Sequence, residues 1–272
     1  MNKPNGFVAA QAVSLPWPVR WPAWRSLLPW SSLTVPALLL LVWSSLSASG
    51  WISPQLLPSP LTVADAGIAL WQDGELQGHL GVSLSRLAIG FGIGALGGLA
   101  FGAALAVSRN VEDYAGGLFH LFRHIPTIAL IPPFILAFGV GETFKILIVV
   151  KGVFFPVAIA AHDAVRNIPR GYFEVARLYK LSRPAVVRHL LLPATLPSIL
   201  TGLRIGLDRS WMLLVVAEQI AAENGIGQMM EMARQIFRID IVMLGVVLTG
   251  VIGFALDRSV RQLETLTTRW RR

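Results

Sequence analysis

The spacing of charges constrains this chain more than any other feature. No Asp, Glu, Lys or Arg occurs from Ser26 to Ala64, and two more uncharged stretches lie between Arg86 and Arg109 and between Arg123 and Glu142. An ionised side chain at the centre of a bilayer is costly, and roughly 20 apolar residues cross the hydrocarbon, so such stretches read as membrane spans. Composition agrees: 54% of the 272 residues are hydrophobic and 14% charged, against about 25% charged in an ordinary soluble domain. That excludes a soluble enzyme and a disordered chain. The absence of cysteine removes disulfides and thiolate metal sites.

The pattern predicts an all-α integral membrane protein with six transmembrane helices. The first is LTVPALLLLVWSSLSASGW and the second lies between Arg86 and Arg109. The third, between Arg123 and Glu142, carries Pro126, Pro132 and Pro133 and is expected to be bent or partly unwound. The fourth runs from Ile146 to His162, the fifth from Leu196 to Ala217 and the sixth from Ile241 to Leu256. Residues 1–30, with four tryptophans among several prolines, read as a cytosolic and interfacial lead-in and not a cleavable signal. Residues 31–257 form the transmembrane domain, 162–195 its longest loop, and 258–272 a basic tail.

Lys and Arg set the orientation. With a cytosolic N-terminus, 16 of the 23 basic residues fall on the inside, four outside and three (Lys151, Arg204, Arg209) within spans. Of the 15 acidic residues, eight fall outside. The net charge of +8 is therefore mainly an orientation signal and implies no nucleic-acid partner. Both termini are expected in the cytosol.

Gly90, Gly94, Gly98 and Gly102 recur every four residues along the second span. Such a stripe lets a second helix approach closely where apolar burial alone drives nothing. In the fifth span, Arg204 and Asp208 share a face with Trp211 and Glu218. Arg204 and Asp208 are expected to neutralise one another there. Arg209 points roughly 100° away, and Lys151 is another lone cation. Lys151, Arg204, Asp208, Arg209, Trp211 and Glu218 are the candidates for a solute pathway, and the cationic excess suits an anion. Interhelical bonding and snorkelling are the competing reading. No HExxH, GxSxG or GxxxxGK[ST] pattern occurs, so no catalytic or metal site is expected. An acid–base pair of Asp208 and Glu218 would be separated by about 15 Å along the helix, too far to cooperate.

The loop HDAVRNIPRGYFEVARLYKLSRPAVVRHLLLPATLP reads as two short helices around a turn at Lys180 to Ser182, with Ser182 as N-cap and Pro184 in the first turn. Composition alone leaves a docking element and an anionic-lipid contact equally open. Spacing decides between them. Glu174, Ala176, Leu192 and Pro193 stand where ABC importer permeases place Glu-Ala-Ala, three residues, Gly, nine residues, Ile, one residue, Leu-Pro. The chain thus resembles the membrane subunit of a type I binding-protein-dependent ABC importer. Over roughly Ser53 to Leu263 it looks like the aliphatic sulfonate, taurine and nitrate branch.

The resemblance implies a coupling helix that inserts into a groove on a cytosolic ATPase. Glu174 would pair with a basic groove residue, and Ala176 would allow close approach. Arg177, Tyr179 and Leu181 would supply contacts, while Leu192 and Pro193 would anchor the returning chain. It also implies two ATPase subunits carrying ATP and Mg, a second permease copy, a soluble binding protein, and residence in a bacterial inner membrane. No cofactor is expected on this chain. A vitamin precursor is an alternative cargo; a membrane enzyme or a channel is the alternative class. Two departures stand out: Val175 replaces an Ala, and Lys180 occupies the Gly position, where a positive φ would cost a non-glycine residue on the order of 1 kcal/mol.

Overall fold

The computed structural model describes residues 31–267, with side chains from 34 onward; the lead-in 1–30 and residues 268–272 lie outside the described residues. The described residues form helices and connecting turns with no strand. α1 (Ser31–Ala48) is uncharged, with an apolar centre from Val35 to Trp43, and α2 (Pro60–Gln72) starts at Ser59, whose side chain accepts from the Thr62 N–H. α3 (Glu75–Val107) follows, then α4 (Arg109–His124). A 3-10 turn (Ile128–Leu130) leads into α5 (Ile131–Phe138), and α6 (Glu142–Arg166) comes next. α7 (Arg170–Leu178) and α8 (Arg183–Val186) form the long loop. A π turn (Val187–Leu191) joins α8 to α9 (Leu192–Ala221), and α10 (Ile226–Gln235) and α11 (Ile239–Thr267) complete the chain.

α3, α6, α9 and α11 are long and apolar enough to cross a membrane, and the bent pair of α4 with the α5 segment makes up to a fifth span. α1 is a shorter apolar helix over its described side chains. The expected third span differs in form from a single helix. Its preceding segment, residues 109–123, read from sequence as an inside loop, is the amphipathic helix α4, and the chain turns by 94° between α4 and the Ile128–Phe138 segment. Pro126 is the physical reason: it forces Ile125 into extended backbone (φ −69°, ψ 121°) and removes a helical N–H. The sixth helix likewise outruns its predicted end, since α11 carries eleven residues beyond Leu256, to Thr267, and takes in most of the expected tail.

α6 is the centre of the bundle, with α3 on one side and α9 on the other. The glycine stripe causes this. A Cβ at Gly90 would lie 2.6 Å from the Val149 side chain; at Gly94, 2.8 Å from the Val150 carbonyl; at Gly98, 2.7 Å from that of Phe154; at Gly102, 2.2 Å from that of Ala158. All four neighbours belong to α6, so the stripe is a backbone-to-backbone seam. Gly202 and Gly206 of α9 make the corresponding approach to Ala160 and Val153 on another face of α6. The seams enclose a core of Leu87, Val149, Val153, Val157, Trp211, Leu214 and Ile226. Apolar side chains on α1 and the outer face of α11 (Leu39, Leu41, Val251, Phe254) are exposed, as lipid-facing surface should be.

Candidate functional site

The two ends of the bundle treat charge oppositely. At the end where α3 and α6 begin and α9 finishes, Glu218 is fully buried. Its carboxylate accepts from Ser83 Oγ (2.8 Å to each oxygen), from Arg86 Nη1 (2.8 Å) and from the Gly227 N–H (3.0 Å). Arg86, 3% exposed, also forks onto Glu142 at 2.5 and 2.6 Å and donates to the Asn224 carbonyl at 2.6 Å. Lys145 reaches the same Glu142 at 3.1 Å. The loop before α10 closes over Glu218 through glycines. At Gly225 (φ +123°) a Cβ would sit 2.4 Å from the carboxylate, and its N–H donates to His79 Nδ1 at 3.0 Å. That bond uses the lone pair of Nδ1 as acceptor. Every buried polar side-chain atom among the described residues has a partner, which is the condition for a buried charge cluster to persist.

At the opposite end α7 is exposed apart from Ala176, which is buried, and Phe173, which is half-buried. Glu174, Arg177 and Lys180 are exposed, as are Tyr172, Val175, Leu178 (81%), Tyr179 and Leu181. A contiguous apolar surface beside unpaired charges is the character of a protein-docking site. The turn after α7 is a Schellman motif: the Leu181 N–H bonds to the Ala176 carbonyl at 3.0 Å and the Lys180 N–H to that of Arg177 at 2.9 Å. Lys180 occupies the left-handed position with φ 49°. The lysine tolerates the strain, and the turn does not shift. Ser182 holds the N-cap position of α8 without a side-chain cap bond. Leu192 and Pro193 form the first turn of α9, which runs on from α8 through the π turn.

Comparison with known proteins decides what this arrangement belongs to. Residues 95–269 match the family described as binding-protein-dependent transport system inner membrane component. The chain belongs to that family. It is 40% identical to the "Putative aliphatic sulfonates transport permease protein SsuC" of Escherichia coli (strain K12), over 89% of this chain and 91% of that protein. It is 35% identical to the taurine transport system permease protein TauC of the same strain, over 92% of each. Among solved structures it superposes on a chain of the inward-facing MetNI methionine ABC transporter with a TM-score of 0.55 and 25% identity, covering 69% of this chain and 94% of that one. The protein is therefore an ABC importer permease of the sulfonate, taurine and nitrate branch, a transport subunit and not an enzyme.

The six pathway candidates of this permease do not share one surface. Glu218 is the keystone of the buried cluster. Trp211 is buried, donating from Nε1 to the Thr249 carbonyl at 3.0 Å, and so ties α9 to α11. Arg204 ion-pairs with Asp257 of α11, which corrects the expected Arg204–Asp208 pair; Asp208 lies within electrostatic reach of both. The reason is reach across the interface: an antiparallel neighbour offers a carboxylate closer than one turn along the same helix. Lys151 donates to the Ile125 carbonyl (2.8 Å) and Thr127 Oγ1 (3.1 Å) and lies 5.4 Å from the Phe155 ring centroid. It thereby satisfies a carbonyl that the break at Pro126 strands. Arg209 is exposed and makes no hydrogen bond or ion pair among the described residues.

The sequence reading missed Ser83, Arg86, Glu142 and Lys145. It assigned the three charged ones to outside loops, because a charge at the edge of an apolar stretch reads as its boundary. Arg86 is in fact three turns inside α3. A legible signal was the pair of glycines flanking Ile226 just after Glu218.

Proposed function

We propose that the protein is the transmembrane subunit of an importer that carries a small anion, foremost an aliphatic sulfonate, into the cytoplasm. α7 is its coupling helix. The observation that carries this reading is the exposed face of α7, with its partnerless Glu174 and its bare Leu178 and Tyr179 on a turn fixed by Lys180. Two cytosolic ATPases bearing ATP and Mg would each receive one α7, from two copies of this chain, and their closure would drive alternation between inward- and outward-facing states. The chain itself binds no cofactor. On this reading the bent pair is a fifth span and α1 a sixth, and the distribution of Lys and Arg supports a cytosolic side for both termini and α7. The buried cluster and α10 then face the soluble binding protein. The likeness to permeases named for aliphatic sulfonates and taurine supports the sulfonate. Nitrate is the next anion to test.

The test is co-purification of the cognate ATPase with the permease from detergent, joined to calorimetry of the cognate binding protein against sulfonates, nitrate and vitamin precursors. Leu178→Asp and Glu174→Ala are expected to lose the ATPase while the permease stays folded. Undiminished association would refute α7 as the docking element, and a binding protein selective for a vitamin precursor would refute the anion.

A further inference from the structure

A single stripe of α9 faces away from the bundle. Ile205, Arg209, Met212 and Ile220 are exposed along it, with Val216 half-buried between them. These positions recur at intervals of three or four, so they form one line down the helix. Arg209 is the one charge on that line, near the middle of the 30-residue helix. Its depth is fixed by its neighbour: Ser210 backs onto α6 so closely that a Cβ at Gly152 would lie 3.1 Å from the Ser210 Cα. Lys151, adjacent to Gly152, therefore lies at the same level, halfway along both helices.

The cations in the interior of the bundle are otherwise accounted for. Arg86 has two carboxylates, Arg204 has Asp257, and Lys151 has a carbonyl and a hydroxyl. Asp208, the acidic residue adjacent in sequence, is turned about 100° around α9 from Arg209, with Arg204 and Asp257 in electrostatic reach. Arg209 thus presents a guanidinium with no counter-charge, at a depth where hydrocarbon would exclude it unless water or an anion were there.

Resting on the importer reading above, we infer that Arg209 is the anion-selecting residue of the translocation path, binding the oxyanion head of the solute as it passes midway along α9. Its planar fork matches two oxygens of a sulfonate or nitrate at once. The apolar residues above and below it give the solute nothing polar to hold. A site with one cation and no carboxylate binds a monovalent oxyanion and repels cations, yet is weak enough to release its load. Lys151, held back by its carbonyl, adds positive potential at the same level without contacting the solute.

The chain contains no cysteine, so Arg209→Cys introduces its single thiol. The complete complex, with cysteine-free ATPase and binding protein, is reconstituted in vesicles and assayed for uptake of radiolabelled ethanesulfonate and for ATP hydrolysis. Arg209→Cys is expected to lower uptake about tenfold or more, the order expected for one charge-assisted contact, with ATP hydrolysis retained. A water-soluble, positively charged methanethiosulfonate reagent should restore uptake in part, and the negatively charged analogue should not. Uptake equal to that of the unmodified chain, a thiol unreactive toward both reagents, or equal rescue by both would each overturn the inference. Should Arg209→Cys fail to assemble, Arg209→Lys and Arg209→Gln decide: retention by Lys alone supports selection by charge, and equal uptake overturns it. An unmodified complex that moves a neutral or cationic solute and no anion would instead refute the anion reading, before Arg209 is altered.

Discussion

The α10 end of the bundle and the α7 end both carry charged side chains and use them differently. Around Glu218, one arginine, one lysine, two carboxylates, a serine and three loop backbone groups satisfy one another in a closed network that opens to solvent at Glu142. On α7, Glu174 and Arg177 have no partner among the described residues, and apolar side chains stand beside them in solvent. A closed cluster holds three helices and a loop as one rigid unit; an open one leaves its interaction energy for another chain. One end is satisfied within the fold, and the other, on the proposed reading, is left for a partner.

Substitutions can break that contrast, and the largest effect falls on the closed end. Glu218→Ala leaves Arg86 half-neutralised in the interior and is expected to destabilise the permease by about 3–5 kcal/mol, read as a lowered melting temperature in detergent. Replacing Arg86 and Glu218 together by Met is expected to cost much less, because no buried charge is then left over. A double variant as unstable as the single would show that the cluster does more than neutralise itself. Next comes the seam: Gly102→Ala drives a methyl into the Ala158 carbonyl and should cost about 1–3 kcal/mol, whereas Ala at Gly92, which meets no atom within 4 Å, should be silent in the same melt.

Smaller effects belong to the open end. Lys180→Gly relieves the left-handed strain and should stabilise by at most about 1 kcal/mol; a fall in melting temperature would mean that the lysine side chain has an intramolecular role. Glu174→Ala should leave stability within about 0.5 kcal/mol while abolishing ATPase capture, a separation of folding from docking that the closed end cannot show. The smallest effect returns to the closed end, on the outer surface of α10. There the Arg234 guanidinium and the Gln235 amide hold the Glu231 carboxyl well below the usual carboxylate range, at about 2. The folded value is depressed, so the contact is fully present above the ordinary value of 4.5 and fades only as pH falls toward 2. A carboxyl resonance titrating near 4.5 would show the pair unformed.

What could be read in advance follows the range of the interactions. The glycine stripe was legible because its four members sit on one helix and need only some helix opposite; that the helix is α6, itself shared with α9, was not. The turn at Lys180 was legible because a Schellman motif is closed by bonds within six residues. The buried cluster was illegible because Arg86 and Glu218 are 132 residues apart, and each looks like the polar edge of its own span. The partner of Arg204 was misread for the same reason, since Asp257 lies 53 positions away and Asp208 only one turn.

Charge spacing and local turn chemistry, properties of neighbouring residues, determined by themselves that this chain is a helical membrane protein with a two-helix loop around a tight turn. Tertiary structure decided which charges are spent inside the protein and which remain available: it pairs Arg204, clothes Lys151, seals Glu218 and leaves Arg209 and α7 bare. A charge buried in a bilayer is tolerable or functional according to what lies within a few ångströms of it, and only the packing of helices distant in sequence fixes that.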